Sequence, residues 1–253
     1  MIEPIPLSRL LQTRAAILIC YPRYDADEAE RRLRELRQLG VDAIELRGRH
    51  LVCGLPTLGK GHVGIVVGAK GAEGLMALKI RRVDADRSSL EEEASHQRMA
   101  NTVDVGPKLV RASANFILME LIEGNYLTEW IESLEPSEVP RLNKVLTDLL
   151  CDARRLDFIE LDHGELSNAR RHVIVAGDVP CIIDFESAST HRKVSNVTSI
   201  VHYLYFNRLV RGTIERLMTL PQPNPILKAL RKHKAEPTDG SFFELFRALG
   251  LDS

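Results

Sequence analysis

Residues 55–71, LPTLGKGHVGIVVGAKG, place five glycines in seventeen positions, among valines. Within this stretch Gly59–Val66 fits the pattern G-x-G-x-x-G-x-V in full. Because glycine has no Cβ, a backbone hairpin of this composition is able to approach phosphate oxygens closely. A dinucleotide-binding turn needs a helix directly after the glycines, whereas a valine-rich strand follows them here. The stretch is therefore either a plain hairpin or a hairpin that cradles phosphates.

Two further motifs follow the glycines in a fixed order. An apolar strand ends at Ala77-Leu78-Lys79, where an ammonium group is suited to bind phosphates. A predicted helix, RSSLEEEASHQRMANTV, begins near Ser88 or Ser89 and carries Glu93, which is expected to pair with Lys79. Glu91 and Glu92 are the rival partners. The later strand NFILMELI leads into Glu120–Ile122, a backbone segment of the kind that hydrogen-bonds adenine, with Met119 beside it.

Forty residues further on, HGELSNARRHVIV precedes IIDFESAS, and with these two motifs the chain resembles the protein-kinase-like superfamily. The similarity is to its compact atypical branch, the RIO and Bud32 kinases, and within that branch to the archaeal tRNA kinase group. It covers about Gly54 to Arg211. The resemblance implies an α+β, two-lobed kinase-like fold, with a β-rich N-lobe at 55–123 and a helical C-lobe at 124–253.

The resemblance also implies an ATP-dependent kinase that uses ATP and Mg²⁺. Asp184 of DFE would hold the magnesium, and Glu165 would accept the proton of the attacking hydroxyl, with Lys79 completing the catalytic set. The nucleotide-binding residues would be Gly59, Lys60, Gly61, His62, Gly64, Val66, Lys79, Glu93, Met119, Glu120 and Ile122.

Two positions depart from the family pattern. Where the family has a metal-binding asparagine five residues after the catalytic carboxylate, this chain has Arg170. Either Asn168 or His172 is then the metal ligand, and His172 is slightly favoured because it directly precedes the strand VIV, although imidazole is a poor magnesium ligand. The glycine of DFG is replaced by Glu186, which adds a carboxylate near the metal.

Residues 1–54 are expected to form a separate small module of winged-helix-like outline. An apolar strand AAILICY is followed by a periodic helix that opens at Asp25 or Asp27 and closes at Gly40. Two short apolar runs then flank Arg47-Gly48-Arg49, which predicts a hairpin there.

Composition and charge limit the location and the classes of partner that we expect for this protein. The chain has no apolar run long enough to span a membrane and no signal-peptide pattern, so we expect a cytoplasmic protein with no membrane partner. The four cysteines form no CxxC pair, which argues against zinc and disulfides. Residues 84–165 carry 18 acidic and 8 basic residues, whereas residues 190–234 carry 9 basic and 1 acidic. The basic region is either a solvated surface or a face that meets a polyanion.

The acceptor is expected to be RNA rather than an extended peptide. Only 11 residues, FESASTHRKVS, separate Asp184 from the next predicted helix, and the A-P-E motif that supports peptide substrates is missing. The resemblance favours tRNA, phosphorylated on a ribose 2′-hydroxyl of a variable-loop uridine, and no DNA partner. A Ser/Thr protein kinase that also phosphorylates itself and an ATPase-type scaffold on a ribonucleoprotein remain alternatives. The candidate RNA contacts are Arg170, Arg171, Arg192, Lys193, Arg208 and Arg211.

Overall fold

The structure, a computed structural model, describes residues 3–251, which divide into two compact units. The first unit runs to Arg98 and includes Pro107–Leu121, and the second comprises Met99–Gly106 and the chain from Ile122 onward. With 45% helix and 21% strand, sheet in the N-terminal part and helices in the C-terminal part, the expected α+β class is confirmed at this level.

The helices and strands lie as follows. The first unit contains the strands β1 (Ile5–Pro6), β2 (Val41–Glu45), β3 (His50–Val52), β4 (Leu55–Thr57), β5 (Gly59–Lys60), β6 (Gly64–Gly71), β7 (Gly74–Arg81), β8 (Leu109–Ala112) and β9 (Phe116–Glu120). Its helices are α1 (Leu7–Leu10), α2 (Ala16–Ile19) and α3 (Ala26–Gln38), and α4 (Glu91–Asn101) begins in it.

The second unit contains the strands β10 (Asn125–Tyr126), β11 (Val173–Ala176) and β12 (Val179–Ile182). Its helices are α5 (Leu127–Glu132), α6 (Val139–Phe158), α7 (Asn196–Tyr205), α8 (Arg208–Glu215), α9 (Pro223–Ala235) and α10 (Asp239–Leu249). Short 3₁₀ turns lie at Pro136–Glu138, Leu166–Arg171 and Phe185–Ser187.

A seven-stranded antiparallel sheet organises the first unit. Its strand order is β1-β2-β6-β7-β9-β8, and β5 pairs with the free part of β6. The central strand β7 pairs with β6 on one side and with β9 on the other, so its middle residues Met76–Ile80 are all buried. Strands buried on both faces read as continuous apolar runs, and Lys79 is the single charged residue in this buried run.

Within residues 3–54, the strands β1 and β2 belong to this sheet, and buried residues of the three helices belong to its core. The strand β2 pairs with β6, and buried residues of α3 pack in one apolar cluster with residues of β6 and β7. The prediction of a hairpin at Arg47-Gly48-Arg49 was wrong: β3 pairs with β4, and the turn between them is Cys53-Gly54. Both turn residues have positive φ, 52° and 76°, as a two-residue hairpin turn requires.

The helix α3 forms as its sequence predicts. Asp25 caps it by accepting a 2.8 Å hydrogen bond from the backbone N of Glu28, which identifies Asp25 rather than Asp27 as the cap. Gly40 follows the helix with φ +73°, a conformation that favours glycine.

A fully buried guanidinium fastens α3 to the sheet. Arg32 donates to Glu28 at 2.6 Å, to the carbonyl of Ile19 at 2.8 Å and to the carbonyl of Arg81 at 2.5 Å, at the end of β7. It also donates to the side-chain oxygen of Asn115 at 3.0 Å. A charge that is taken out of water is tolerated only when its donors are satisfied in this way.

The long helix α6 supplies the centre of the second core. Leu142, Leu146, Leu149, Ala153 and Leu156 recur at three- and four-residue spacing and are fully buried. Pro136 lies in a 3₁₀ turn and Pro140 lies in the first turn of α6, where proline is tolerated. Beside this core the strands β10, β11 and β12 form a small antiparallel sheet.

The start of α7 is tied to the end of α6. The carboxylate of Asp157 accepts hydrogen bonds from the backbone N of Asn196 at 2.9 Å and of Val197 at 3.2 Å. Asn196 in turn donates to the carbonyl of Leu161 and accepts from the backbone N of His163. These bonds fix the backbone of residues 161–163, which lead to the carboxylate of the HGE motif.

Within residues 3–251, no helix has the length and apolar character to cross a membrane.

We expect Arg32→Met to lower the free energy of unfolding by about 3 kcal/mol, because it leaves two buried carbonyls without their donor and Glu28 with Arg31 alone. Arg31→Met is the matched control, since Arg31 pairs with the same Glu28 carboxylate at 2.8 Å but its side chain is 59% exposed. Urea denaturation measures both variants. The Arg32 change should shift the midpoint and the Arg31 change should not, and equal shifts would contradict the role given to Arg32.

Candidate functional site

The glycine-rich stretch is a hairpin whose tip is built around a close contact. Gly59 and Lys60 in β5 pair with Val66 and Ile65 in β6, and the backbone N of Gly61 donates to the carbonyl of Gly64 at 2.8 Å. A Cβ on Gly64 would lie 2.9 Å from the carbonyl oxygen of Ile80 and 3.2 Å from two carbons of the Lys79 side chain. Glycine at 64 is therefore required for the hairpin to lie against the stem of Lys79.

Lys79 and Glu93 form a buried ion pair. The Lys79 Nζ lies 2.7 Å from the Glu93 Oε1, and the two residues are only 5% and 4% exposed. Glu93 is in the first turn of α4, which starts at Glu91 after the Ser89 hydroxyl accepts from the Glu91 backbone N at 3.1 Å. Glu91 and Glu92 are exposed, so the expected contact is made by Glu93 and not by its rivals. Two buried charges that are held at this distance fix the position of the ammonium group.

The side chains around the hairpin tip differ in exposure. Lys60, Gly61 and His62 are exposed, whereas Val66 is half-buried and lies opposite Lys79 in the β6–β7 ladder.

Tyr21, in the N-terminal segment, lies near the tip of the hairpin. The Lys60 ammonium lies 5.3 Å from the centre of its ring, and the Arg82 guanidinium lies 5.2 Å from it. The backbone N of Arg82 also donates to the carbonyl of Val63 at 2.8 Å. The N-terminal segment thus contacts the tip of the glycine hairpin, a role that sequence reasoning missed.

The predicted adenine-binding segment, Glu120–Ile122, begins at the last residue of β9. Met119 is half-buried, and its Sδ lies 3.4 Å from the Nε2 of Gln97. Glu120 is exposed, and its backbone N already donates to the carbonyl of Lys108 at 2.9 Å. Ile122 is half-buried and is the first residue of the second unit after β9.

In the second unit, Asp184 has a strained backbone. Its φ of 68° and ψ of 79° are left-handed values, which are uncommon for residues other than glycine. The next residue, Phe185, is buried in the core and stacks 5.2 Å from the ring centre of His163. The buried phenylalanine and the turn that follows it hold Asp184 in place. Glu186 is half-buried two residues further on.

Both carboxylate oxygens of Glu165 have partners. Its Oε2 lies 2.7 Å from the Nε2 of His172, and its Oε1 accepts a hydrogen bond from the Ser187 hydroxyl at 2.5 Å. The preceding Gly164 has φ +86°, and a Cβ there would lie 2.6 Å from the Ser187 carbonyl oxygen. Ser187 had not been singled out from the sequence, because nothing in a lone serine after DFE marks it as a partner of Glu165.

The two candidates for the missing asparagine differ in their surroundings. The side chain of Asn168 is exposed, and its backbone, at φ −126° and ψ 53°, interrupts the 3₁₀ turn Leu166–Arg171. His172 is buried, with its Nε2 on Glu165 and its Nδ1 without a hydrogen-bond partner among the described residues.

The histidine of HGE is buried and neutral. The His163 Nε2 lies 3.0 Å from the carbonyl oxygen of Ile183, which only accepts, so Nε2 carries the proton. Burial is the main cause that lowers the pKa of His163 to about 4, and the nearby His172 lowers it further. The Ile183 carbonyl, Asp184 and Glu165 raise the pKa, but by less than burial lowers it.

The basic residues predicted to contact RNA divide into two groups. Arg192 donates to Asp162 at 3.0 Å and to the carbonyl of Ser187 at 2.5 Å, and Arg211 donates to Glu215 at 2.8 Å and to the carbonyl of Tyr205. These two side chains already have partners within the protein. The remaining four are exposed and form no ion pair with residues 3–251: Arg170, Arg171, Lys193 and Arg208.

The comparisons with known proteins give little support for any family. No protein-family profile matches the chain. The chain is 28% identical over 102 residues to a protein of Methanocaldococcus jannaschii named "Uncharacterized protein MJ1211". That alignment covers 40% of this chain and 84% of the relative.

We expect His163 to make the protein sensitive to acid. Its folded pKa of about 4 lies below the ordinary value near 6.5, so its share of the stability is complete above pH 6.5 and is lost as the pH falls towards 4. Between pH 7 and pH 5 this loss amounts to about 2 kcal/mol. His163→Gln keeps a donor for Ile183 but does not titrate.

Urea denaturation at pH 7, 6 and 5 measures this effect. The wild type should lose more stability than the His163 variant between pH 7 and pH 5, and His191→Gln, at an exposed position, should behave as the wild type does. Parallel losses in all three proteins would contradict a buried neutral His163.

Proposed function

We propose that this protein is an ATP-dependent phosphotransferase of the protein-kinase-like type, and the buried ion pair of Lys79 and Glu93 carries the proposal. A lysine on a central strand, paired with a glutamate of the following helix, is the arrangement that kinases use to hold the α- and β-phosphates of ATP. The required glycine at 64 lies against the same lysine, as a phosphate-covering hairpin needs.

The order of elements supports a two-lobed kinase-like fold of the RIO and Bud32 type. In the first unit a glycine hairpin, a lysine strand, a glutamate helix and two further strands succeed one another, and the strands pair in the order β5-β6-β7-β9-β8. In the second unit a long helix precedes the HGE segment, and two short paired strands lie between that segment and DFE.

The second unit supplies groups suited to the metal and the acceptor. Asp184 has a carboxylate on a backbone turned into the left-handed region, and Glu186 adds a second carboxylate two residues away. Carboxylate oxygens are the ligands that Mg²⁺ prefers, so these residues fit a magnesium ion that neutralises phosphate charge. Glu165 would take the proton of the acceptor hydroxyl.

Of the two candidates for the third metal ligand, we favour Asn168. The Nε2 of His172 is engaged with Glu165, and its other ring nitrogen is buried, whereas Asn168 has an exposed amide oxygen in the same segment. An amide oxygen also suits magnesium better than imidazole does.

We propose structured RNA, and tRNA in particular, as the acceptor, with a ribose 2′-hydroxyl as the phosphorylated group. The exposed basic side chains at 170, 171, 193 and 208, which form no ion pair with the described part of the chain, support this choice because phosphates would neutralise them. The short segment between Asp184 and α7 leaves no room for the platform on which peptide substrates bind. A Ser/Thr protein kinase and an ATPase-type scaffold on a ribonucleoprotein are the other outcomes of the substrate experiment.

We expect Lys79→Met and Asp184→Asn each to reduce phosphate transfer from labelled ATP by at least about 100-fold, since each removes a charge that stabilises the transferred phosphate. Glu93→Gln should act in the same direction because the ammonium loses its partner. The assay uses total tRNA, protein extract and buffer alone as acceptors.

The controls are exposed residues of the same types. Lys70→Met lies on β6 and Glu92→Gln lies next to Glu93 on α4, and both should retain wild-type transfer. Near-normal transfer by the Lys79 variant, or no transfer by the wild type to any acceptor, would rule out the proposed function.

We expect tRNA binding to weaken steeply with salt, because each neutralised phosphate releases counterions and contributes about 0.7 to 0.9 to the log–log slope. Replacing Arg170 and Arg171, or Lys193 and Arg208, by alanine should flatten that slope by about one to two units without changing ATP affinity. Arg231→Ala with Lys234→Ala, at two exposed positions of α9, is the control pair.

Fluorescence anisotropy with labelled tRNA over a salt series gives the slopes. A slope near zero for the wild type, or equal flattening by the control pair, would reject RNA as the acceptor and leave the protein-kinase alternative in front.

A further inference from the structure

The contact between His172 and Glu165 assigns the histidine a role that differs from metal binding. The Nε2 of His172 lies 2.7 Å from one oxygen of the carboxylate that we propose as the proton acceptor. An ionised carboxylate has no proton to give, so a ring nitrogen this close to its oxygen carries the proton. The same nitrogen is therefore unable to offer a lone pair to a metal ion.

The imidazole of His172 is held rigidly. Its backbone N donates to the carbonyl of Ala169 at 3.1 Å, and its own carbonyl accepts from the backbone N of Ile183 at 2.9 Å. The ring of His163 packs edge-on against it with 5.5 Å between ring centres. His172 is 7% exposed, whereas the side chain of Glu165 is 43% exposed. A fixed, buried ring thus holds a carboxylate that reaches solvent.

The two oxygens of Glu165 consequently have different functions. The oxygen Oε2 is turned towards His172, which leaves Oε1 as the atom that meets an acceptor. The Ser187 hydroxyl already donates to Oε1 at 2.5 Å. A carboxylate oxygen has two lone pairs, so Oε1 retains one with which to take the proton of an acceptor hydroxyl.

We propose that His172 is a positioning residue which orients Glu165 so that Oε1 faces the acceptor hydroxyl; this inference rests on the proposed kinase function. In the step itself, the acceptor oxygen forms a bond to the γ-phosphorus of ATP, the bond from that phosphorus to the β–γ bridging oxygen breaks, and ADP leaves with the electron pair. The acceptor proton passes to Oε1 of Glu165. His172 neither gains nor loses a proton.

The test compares three substitutions of the same residue. His172→Ala removes the donor and should reduce kcat about 100-fold, because a base that is misplaced by about 1 Å costs that much, while KM for ATP stays within about twofold. His172→Gln places an amide N–H near the position of Nε2 and should recover kcat to within about fivefold of the wild type. His172→Asn, whose amide is too short to reach Glu165, should resemble alanine.

Magnesium titration separates the positioning role from a metal role. If His172 orients Glu165, the magnesium concentration for half-maximal rate is the same in all three variants, and Asn168→Ala raises it. A raised magnesium requirement in His172→Ala, or a better rescue by Asn than by Gln, would overturn the inference.

Folding and the proposed function are checked in the same experiment. Urea denaturation shows whether each variant is folded at the assay temperature, and rescue by Gln is scored on folded protein only. Exposed His191→Ala is the matched control and should retain wild-type kcat. A wild type that transfers phosphate while His172→Ala is unchanged rejects the positioning role alone. A wild type without any transfer rejects the proposed function.

Discussion

The ion pair of Lys79 and Glu93 is the constraint to which the first unit is fitted. Removing an ammonium and a carboxylate from water costs several kcal/mol for each ion, and only a short, well-aligned contact offsets that cost. The contact requires α4 to lie with its first turn against β7, and it requires the hairpin of β5 and β6 to leave space for the lysine stem. A charge pair that adds little to net stability thereby specifies the relative positions of a helix, a strand and a glycine.

The elements that the sequence predicted best are those whose patterns are local. The cap at Asp25, the close of α3 at Gly40 and the glycine hairpin follow from residues within a few positions of one another. The pairing of Lys79 with Glu93 could also be predicted from the sequence. Three consecutive residues of a helix point in different directions, so only one of Glu91, Glu92 and Glu93 faces the sheet.

What the sequence did not reveal depends on contacts between distant residues. The hairpin was misplaced at Arg47-Gly48-Arg49 because two apolar runs around a glycine suggest a turn, whereas β2 pairs with β6, whose partner residues lie 23 to 30 positions further along. Ser187, 22 positions from Glu165, is marked by no local pattern, and His172, 7 positions away, was singled out for a metal role and not as a partner of Glu165. The same holds for Arg192 and Arg211, whose internal bonds only the folded chain makes visible. Charge counts over a segment do not tell which cations are already paired.

The short stretch after Asp184 is anchored along its length. Asp162 and Ser189 exchange two backbone hydrogen bonds, of 3.0 and 2.8 Å, and Arg192 ties Asp162 to the carbonyl of Ser187. The other carboxylate oxygen of Asp162 accepts a hydrogen bond from the backbone N of Ser195, just before α7. A segment of this length, fastened at three points by one aspartate, has little conformational entropy left to lose. It is therefore unsuited to an on–off switch of the order–disorder kind, and under the function that we propose the protein would need no separate activation step.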